Sequence, residues 1–232
     1  WGSVINAAED DSDGTVTVTT SDVEDGQMVT VTLDAKSYTG TVSSGSAAIT
    51  IPAADLQALT DGDTYDLTAD VSDAAGNAAV QNDATSFAVD VTAPTIETVS
   101  TSWGSVINAA EVDNDGTVTI TTNGAEDGQA VTVTLNSQNY TGTVSSGSAT
   151  ITIPAEAGLN VLTDGDTYNL TADVSDAAGN AAVQNDATSF NVDLTALPLP
   201  RISAVDTSSG LSGAAEAGAS VSVVMTDPSG TD

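Results

Sequence analysis

The 232-residue chain contains no cysteine and no histidine. The first absence excludes disulfides and thiolate metal sites. The second removes the commonest general base and the commonest nitrogen ligand for metals. No serine–histidine–aspartate or cysteine–histidine catalytic set can be assembled. Cationic side chains are nearly absent as well: 2 Lys and Arg stand against 33 Asp and Glu, a formal net charge of -31. Such a chain repels nucleic acid and anionic membranes, so neither is an expected partner. Aromatic residues make up 3% of the chain. That is too few for the sugar platforms of a glycosidase cleft, although paired carboxylates could otherwise serve hydrolysis. No apolar run reaches the roughly 18 residues of a membrane-spanning helix. The expectation is a protein that is not an enzyme and does not insert into a membrane. The sequence opens mid-pattern at Trp1, so it reads as a fragment, and the lack of a signal peptide says little.

What is present is repetition. "WGSVINAAE" begins at Trp1 and again at Trp103, and "TVSSGSA" at 41–47 returns at 143–149. "LTADVSDAAGNAAVQNDATSF" at 67–87 returns at 170–190 with one residue gained between Pro52 and Leu59, where "AADLQA" becomes "AEAGLNV". A one-residue gain is most easily absorbed in a loop. A period near 100 residues exceeds that of solenoid units, roughly 20 to 50, and matches an independently folded domain. The division expected is 1–93, 94–196 and a partial third unit at 197–232. In the third, "GAAEAGASVSVVM" (213–225) copies the layout of "NAAE…GTVTVTT". The first unit lacks its opening strand.

Within each unit, Thr alternates with Val, Ile or Leu, as in "TVTVTT", "MVTVTL" and "ATITIP". Period two marks strands with one face buried and one wet. Turn signals such as "EDGQ", "SSGS" and "TDGD" recur at short intervals, and no helical periodicity competes. The fold class is all-β: tandem Ig-like antiparallel β-sandwiches arranged end to end. In the second unit the seven strands A to G are expected near 95–102, 117–122, 130–136, 140–145, 149–154, 167–174 and 181–193. Tyr65 and Tyr168 open the sixth strand after a turn, the position of a tyrosine corner. Trp1 and Trp103 are expected to cover the sandwich near the first corner, and Phe87 and Phe190 to lie in the core.

The acids gather where strand order places the poles of the sandwich. "NAAEDDSDG" (6–14), "TDGD" (60–63) and "VDVTAP" (89–94) converge at one end of the first unit. "GAEDGQ" (124–129) and "SDAAGN" (175–180) face them from the second. Carboxylates facing one another without a base repel, and a hard divalent cation relieves this; Ca²⁺ tolerates irregular oxygen shells best. Glu9, Asp11, Asp13 before Gly14, and Glu111, Asp113, Asp115 before Gly116, follow the alternating acids of the first half of a calcium loop. The bidentate Glu of an EF-hand is missing. The competing reading takes "TDGD" and "DAAGN" as ordinary turns and the charge as a hydrated surface.

"VINAAE", "AEDGQ.VTVTL", "LTDGDTY.LTADVSDAAGN" and "VDVTAPT" together resemble the bacterial Ig-like extender repeats of giant RTX-type adhesins of Gram-negative bacteria. The resemblance covers essentially the whole chain. It implies a stalk segment of a secreted cell-surface adhesin, exported by type I secretion and rigidified by Ca²⁺ at junctions between neighbouring repeats. The stalk would project an adhesion domain, whose ligand lies outside this chain, in biofilm formation or surface attachment. By position it implies Glu9, Asp61, Asp63 and Asp90 as ligands at the first junction, facing Asp127 and Asp176. At the second it implies Glu111, Asp164, Asp166 and Asp193. There "VDVTAPT" becomes "VDLTALPLPR", and after Glu216 the acids give way to Ala217 and Gly218. The alternative is a carbohydrate- or protein-binding Ig-like module, or a surface-layer subunit.

Overall fold

The computed structural model describes residues 1–79, 82–182, 185–198, 201–206, 210–214, 220 and 222. The alternating stretches form strands throughout. The first repeat contains β1 (Val4–Ile5), β2 (Gly14–Thr19), β3 (Met28–Leu33), β4 (Lys36–Thr41), β5 (Ser46–Ile51), β6 (Thr64–Val71) and β7 (Asn82–Val89). The second contains β8 (Thr95–Thr101), β9 (Val106–Asn108), β10 (Gly116–Asn123), β11 (Ala130–Leu135), β12 (Gln138–Thr143), β13 (Ser148–Ile153), β14 (Thr167–Val174) and β15 (Asn185–Asp193). Beyond them β16 (Arg201–Asp206) and β17 (Gly210–Ala214) pair antiparallel. Most of the stretch 213–225, and Glu216 with it, lies outside the described residues.

Each repeat is a two-sheet sandwich. In the second, β13–β10–β8 packs on β12–β11–β14–β15–β9; in the first, β2–β5 packs on β1–β7–β6–β3–β4. The inward Val, Ile and Leu residues of each repeat, with Phe87 or Phe190, form two separate cores. β4 hydrogen-bonds to β3 rather than to β5, and β12 to β11 rather than to β13. The cause is local. Asp34 and Ala35, and Asn136 and Ser137, hold φ between 48° and 62°. Two consecutive residues of positive φ make the tight hairpin that folds β4 and β12 back onto their predecessors.

The tyrosine corner is present. The Thr60 backbone N–H donates to Tyr65 Oη at 2.9 Å, and that of Thr163 to Tyr168 Oη at 3.1 Å. The two tryptophans lie over glycine. A Cβ on Gly116 would stand 2.4 Å from Trp103 Cζ3, and one on Gly14 1.8 Å from Trp1 Cζ3. Trp103 also meets Phe190 edge to face, with centroids 5.3 Å apart.

Short helical turns, too brief for periodicity to reveal, close the sandwich ends: α1 (Ala7–Asp10), α2 (Ala53–Leu56) and α3 (Ala109–Val112). The gained residue takes the place of α2 as a π-turn, Ala155–Leu159. The wider turn keeps Leu159 as deep as Leu56, its counterpart. A π-turn is the usual form of a single insertion in a helix.

Candidate functional site: the junction between the repeats

Most acids of the two dense clusters serve the backbone. Asn6 Oδ1 accepts from Ala8 N and Glu9 N, while Glu9 Oε2 accepts from Asn6 N. This reciprocal capping box recurs at Asn108 and Glu111. Asp13 accepts from Ala53 N at 2.9 Å, and Asp115 from Ala155 N at 2.9 Å, so each ties the opening corner to the turn after the fifth strand. Asp11 accepts from Gln57 Nε2, and Asp113 is the C-cap residue of α3. Asp61 accepts from Val91 N and Thr92 Oγ1, which holds the exit of β7 and depresses its pKa, the Thr92 bond most. Asp164 likewise accepts from Leu194 N and Thr195 Oγ1, and its pKa is depressed too, here by the Leu194 bond most. Asp63 and Asp166 engage through their backbone, accepting from Val89 N and Val192 N. Asp193 accepts from Thr195 N. Asp127 turns to its own repeat, where Oδ1 accepts from Ser146 N at 2.6 Å.

The residues that join the repeats are fewer. Asn180 reaches from the loop after β14 across to the first repeat. Its Oδ1 accepts from Ala7 N at 2.8 Å, and its Nδ2 donates to Asp90 O at 2.8 Å and to Asp176 Oδ2 at 2.9 Å. From the other side Asn6 Nδ2 donates to Ala178 O at 2.9 Å. Asp176 Oδ1 accepts from Asn180 N, which shapes the loop. Pro94 of the linker packs on Gly124, where φ is +86° and a Cβ would stand 3.3 Å from Pro94 Cα. The first repeat carries the same "SDAAGN" at 72–77, with Asn77 bonded to Asp73 in the same way. There Asn77 is exposed and Asp73 half-buried. In the second repeat Asn180 is 5% exposed and Asp176 3%. Contact with the neighbouring repeat accounts for the difference.

Charge is concentrated at this contact. Burial raises the pKa of Asp90, and the charges of Asp176, Asp61 and Glu126 raise it further. Glu126 Oε2 accepts from Ala177 N, which fixes it beside the loop of Asp176. Among the described residues no group of three acidic side chains is gathered as a ready-made metal site. The donor set at the junction is nevertheless all oxygen, carboxylate and backbone carbonyl, the chemistry that hard divalent cations prefer. The crowding around Asp90 is what a cation would relieve. Residue patterns alone do not single out Asn6, Asn180 or Glu126. Asn-x-x-Glu is a legible capping signal, but in an acidic run it also reads as half a metal loop. In "AEDGQ" the two adjacent acids are equivalent until the fold turns one to each side.

No protein-family model matches the chain, and no curated protein matches it. Solved structures do. One is an adhesin described as Ca²⁺-stabilised, which helps an Antarctic bacterium reach out and bind ice. It is 27% identical with a TM-score of 0.54, over 86% of this chain and 48% of that one. The chain resembles the Ig-like repeats of large bacterial adhesins. A 1.5-MDa bacterial ice-binding adhesin is 26% identical with a TM-score of 0.48, over 83% of this chain and 61% of that one. A single bacterial Ig-like domain from the M. primoryensis ice-binding adhesin is 28% identical with a TM-score of 0.31, over 43% of this chain and 99% of that one. The chain thus spans about half the length of the first of these structures.

Proposed function

We propose that the chain is a stalk segment of a large adhesin outside the cell, built from units at 1–93, 94–196 and 197–232, with no catalytic role. The observation that carries this reading is the contact between repeats. Asn6, Ala7 and Asp90 of one unit and Ala178 and Asn180 of the next interlock, and the interlock buries polar groups that stay open where no neighbour lies against them. Repeats clasped pole to pole set distance and direction, which is what a stalk requires. The carbohydrate-binding alternative needs an exposed tryptophan, whereas Trp103 is 6% exposed and committed to Phe190.

The finer part of the proposal is calcium. Asp90, Asp176 and Glu126 would hold one Ca²⁺ at the first junction, with Asp61 close enough to feel its charge. The Ca²⁺-stabilised adhesin among the similar structures supports this choice of ion. Ca²⁺ would tie both repeats through ligands from each and cancel the repulsion around Asp90. The test is a thermal melt of the whole chain in millimolar Ca²⁺ and in excess chelator. At about a hundredfold excess over its dissociation constant, one site adds roughly 2.7 kcal/mol. A melting temperature that ignores the chelator overturns the calcium reading and leaves the stalk reading standing.

A further inference from the structure

The chain contains six Asp-Gly pairs and one Asn-Gly pair. Such a step is chemically labile, because glycine has no Cβ to obstruct its nitrogen when it turns back on the preceding side chain. The six aspartates are held away from that reaction. Asp13, Asp25, Asp61, Asp115, Asp127 and Asp164 each accept a hydrogen bond from a backbone N–H distant in sequence, at 2.6–2.9 Å. A carboxylate is also a poor electrophile. Asn123 differs on both counts. Its side chain is a neutral amide, it is exposed, and among the described residues no hydrogen bond ties it down. Asn123 is the last residue of β10 and lies opposite Thr95, the first residue of β8. Gly124 follows at φ +86°, exposed and packed against Pro94 of the linker. The first repeat has Ser21 and Asp22 at the matching place, a pair without the amide.

We propose that Asn123–Gly124 is a site of spontaneous deamidation, a covalent modification placed at the junction between the repeats. Gly124 N gives up its proton to solvent and attacks Asn123 Cγ. The N–Cγ bond forms, the Cγ–Nδ2 bond breaks, and ammonia departs with a proton taken from water. The succinimide ring then takes up water. Opening at Cγ leaves an aspartyl residue. Opening at the backbone carbonyl leaves an isoaspartyl residue, whose main chain runs through the side-chain methylene. The sum is amide plus water giving carboxylic acid plus ammonia, with nothing oxidised or reduced. Extended backbone keeps Gly124 N away from Cγ, so the end of β10 has to fray from Thr95 before the ring closes. Fraying costs least at the ends of elements. Either product adds a carboxylate three residues before Glu126, whose charge already acts on Asp90. The isoaspartyl form also lengthens the main chain where Gly124 packs on Pro94. The chemistry stands apart from the stalk reading, and its consequence for the junction rests on that reading.

The experiment incubates the whole 232-residue chain in mildly alkaline buffer, where the glycine amide loses its proton more readily. Peptide mapping with electron-based fragmentation then separates isoaspartyl from aspartyl. Both products are expected at position 123, with ammonia released and a single negative charge gained on ion exchange. The rate should lie below that of the synthetic peptide TITTNGAE, residues 119–126, and above that of every other asparagine in the chain. Asn123→Gln should lose the reaction, because its longer side chain closes a less favoured ring. In the isoaspartyl chain isolated by ion exchange, amide exchange at Thr95 and Ile96 should quicken. An Asn123 that stays intact while the peptide converts would overturn the proposal. So would equal conversion at other asparagines or at the Asp-Gly pairs, or a charge gain that persists in Asn123→Gln. Unchanged exchange at Thr95 and Ile96 in the converted chain would overturn the link to the junction. The mapping is read without calcium or any partner, so its failure leaves the stalk reading in place.

Discussion

Asn180 and Asn77 occupy the same place in the same six-residue loop, yet one is buried and the other open. Asn180 satisfies Ala7 N, Asp90 O and Asp176 Oδ2 at once. Replacing it with Ala strands a backbone N–H and removes two donors from crowded oxygens. An unsatisfied buried group costs about 1–3 kcal/mol. Asn180→Ala should therefore lower the melting temperature and speed amide exchange at Ala7. Asn77→Ala should do less, because its bonds are solvent-exposed. A pH effect belongs to Asp90. Its folded pKa is raised, so in metal-free protein its ionised form penalises the contact at neutral pH. That penalty is removed as pH falls through the raised value and is fully gone below the ordinary 3.8. Asp61 and Asp164 act in the opposite sense: their depressed values give a contribution present above 3.8 that is lost as pH falls through them. With chelator present, amide protection at Ala7 should rise on mild acidification before the fold weakens at lower pH. Asp90→Asn should abolish that rise. A monotonic loss of protection from pH 7 downward would contradict this assignment.

At the level of elements, two positions test how sequence shapes the sandwich. A methyl on Gly116 would collide with Trp103. Gly116→Ala should cost about 1–3 kcal/mol as the indole is displaced, and near-ultraviolet circular dichroism should report the changed tryptophan environment. Ala35 holds φ +59° in the first hairpin, a region that costs an L-residue roughly 1–2 kcal/mol. Ala35→Gly should raise the melting temperature slightly, by an amount reduced by the greater chain entropy of glycine. These elements also show what could be read in advance. Strands such as β10 and β11 were legible because period two is a local property of "GTVTITTN" and "AVTVTL". The tyrosine corner was legible because the ring opens a strand after a turn. The hairpin that puts the fourth strand beside the third depends on positive φ at Asp34–Ala35 and Asn136–Ser137, and neither pair contains the glycine that would advertise it. The π-turn arises from an insertion that has to preserve the depth of Leu159, a constraint that exists only once the core is formed. The dense acids looked like one ligand set because sequence shows their number. Their directions, Glu9 to its own cap and Asp13 to Ala53, come from the short turns between strands.

For the whole molecule the question is whether the clasp alone fixes the angle between repeats. Among the described residues the junction rests on three inter-repeat hydrogen bonds of 2.9 Å or less, donated by Asn6 Nδ2, Ala7 N and Asn180 Nδ2, and on Pro94 packed at Gly124. Three part-buried hydrogen bonds contribute about 0.5–1.5 kcal/mol each. Against them stand Asp90, Asp176, Asp61 and Glu126, whose mutual repulsion is least screened at low ionic strength. Without a cation this repulsion opposes the hydrogen bonds, and the junction should sample bent arrangements. On the calcium proposal, Ca²⁺ would reverse the repulsive term and the clasped arrangement would prevail. Small-angle scattering of the whole chain should give a sharply defined maximum dimension in millimolar Ca²⁺ and a broader distance distribution in chelator, while the β-sheet signal in far-ultraviolet circular dichroism stays constant. Raising NaCl in chelator should recover part of the sharpness, because screening weakens the repulsion without supplying a ligand. Asp90→Ala should behave differently from both. It removes one repelling charge and one ligand, so its distribution in chelator should be narrower than that of the parent chain and should not sharpen further with Ca²⁺. Identical scattering of the parent chain with and without Ca²⁺ would mean that the hydrogen bonds and Pro94 suffice, and that the acids at the poles serve only to hydrate the surface.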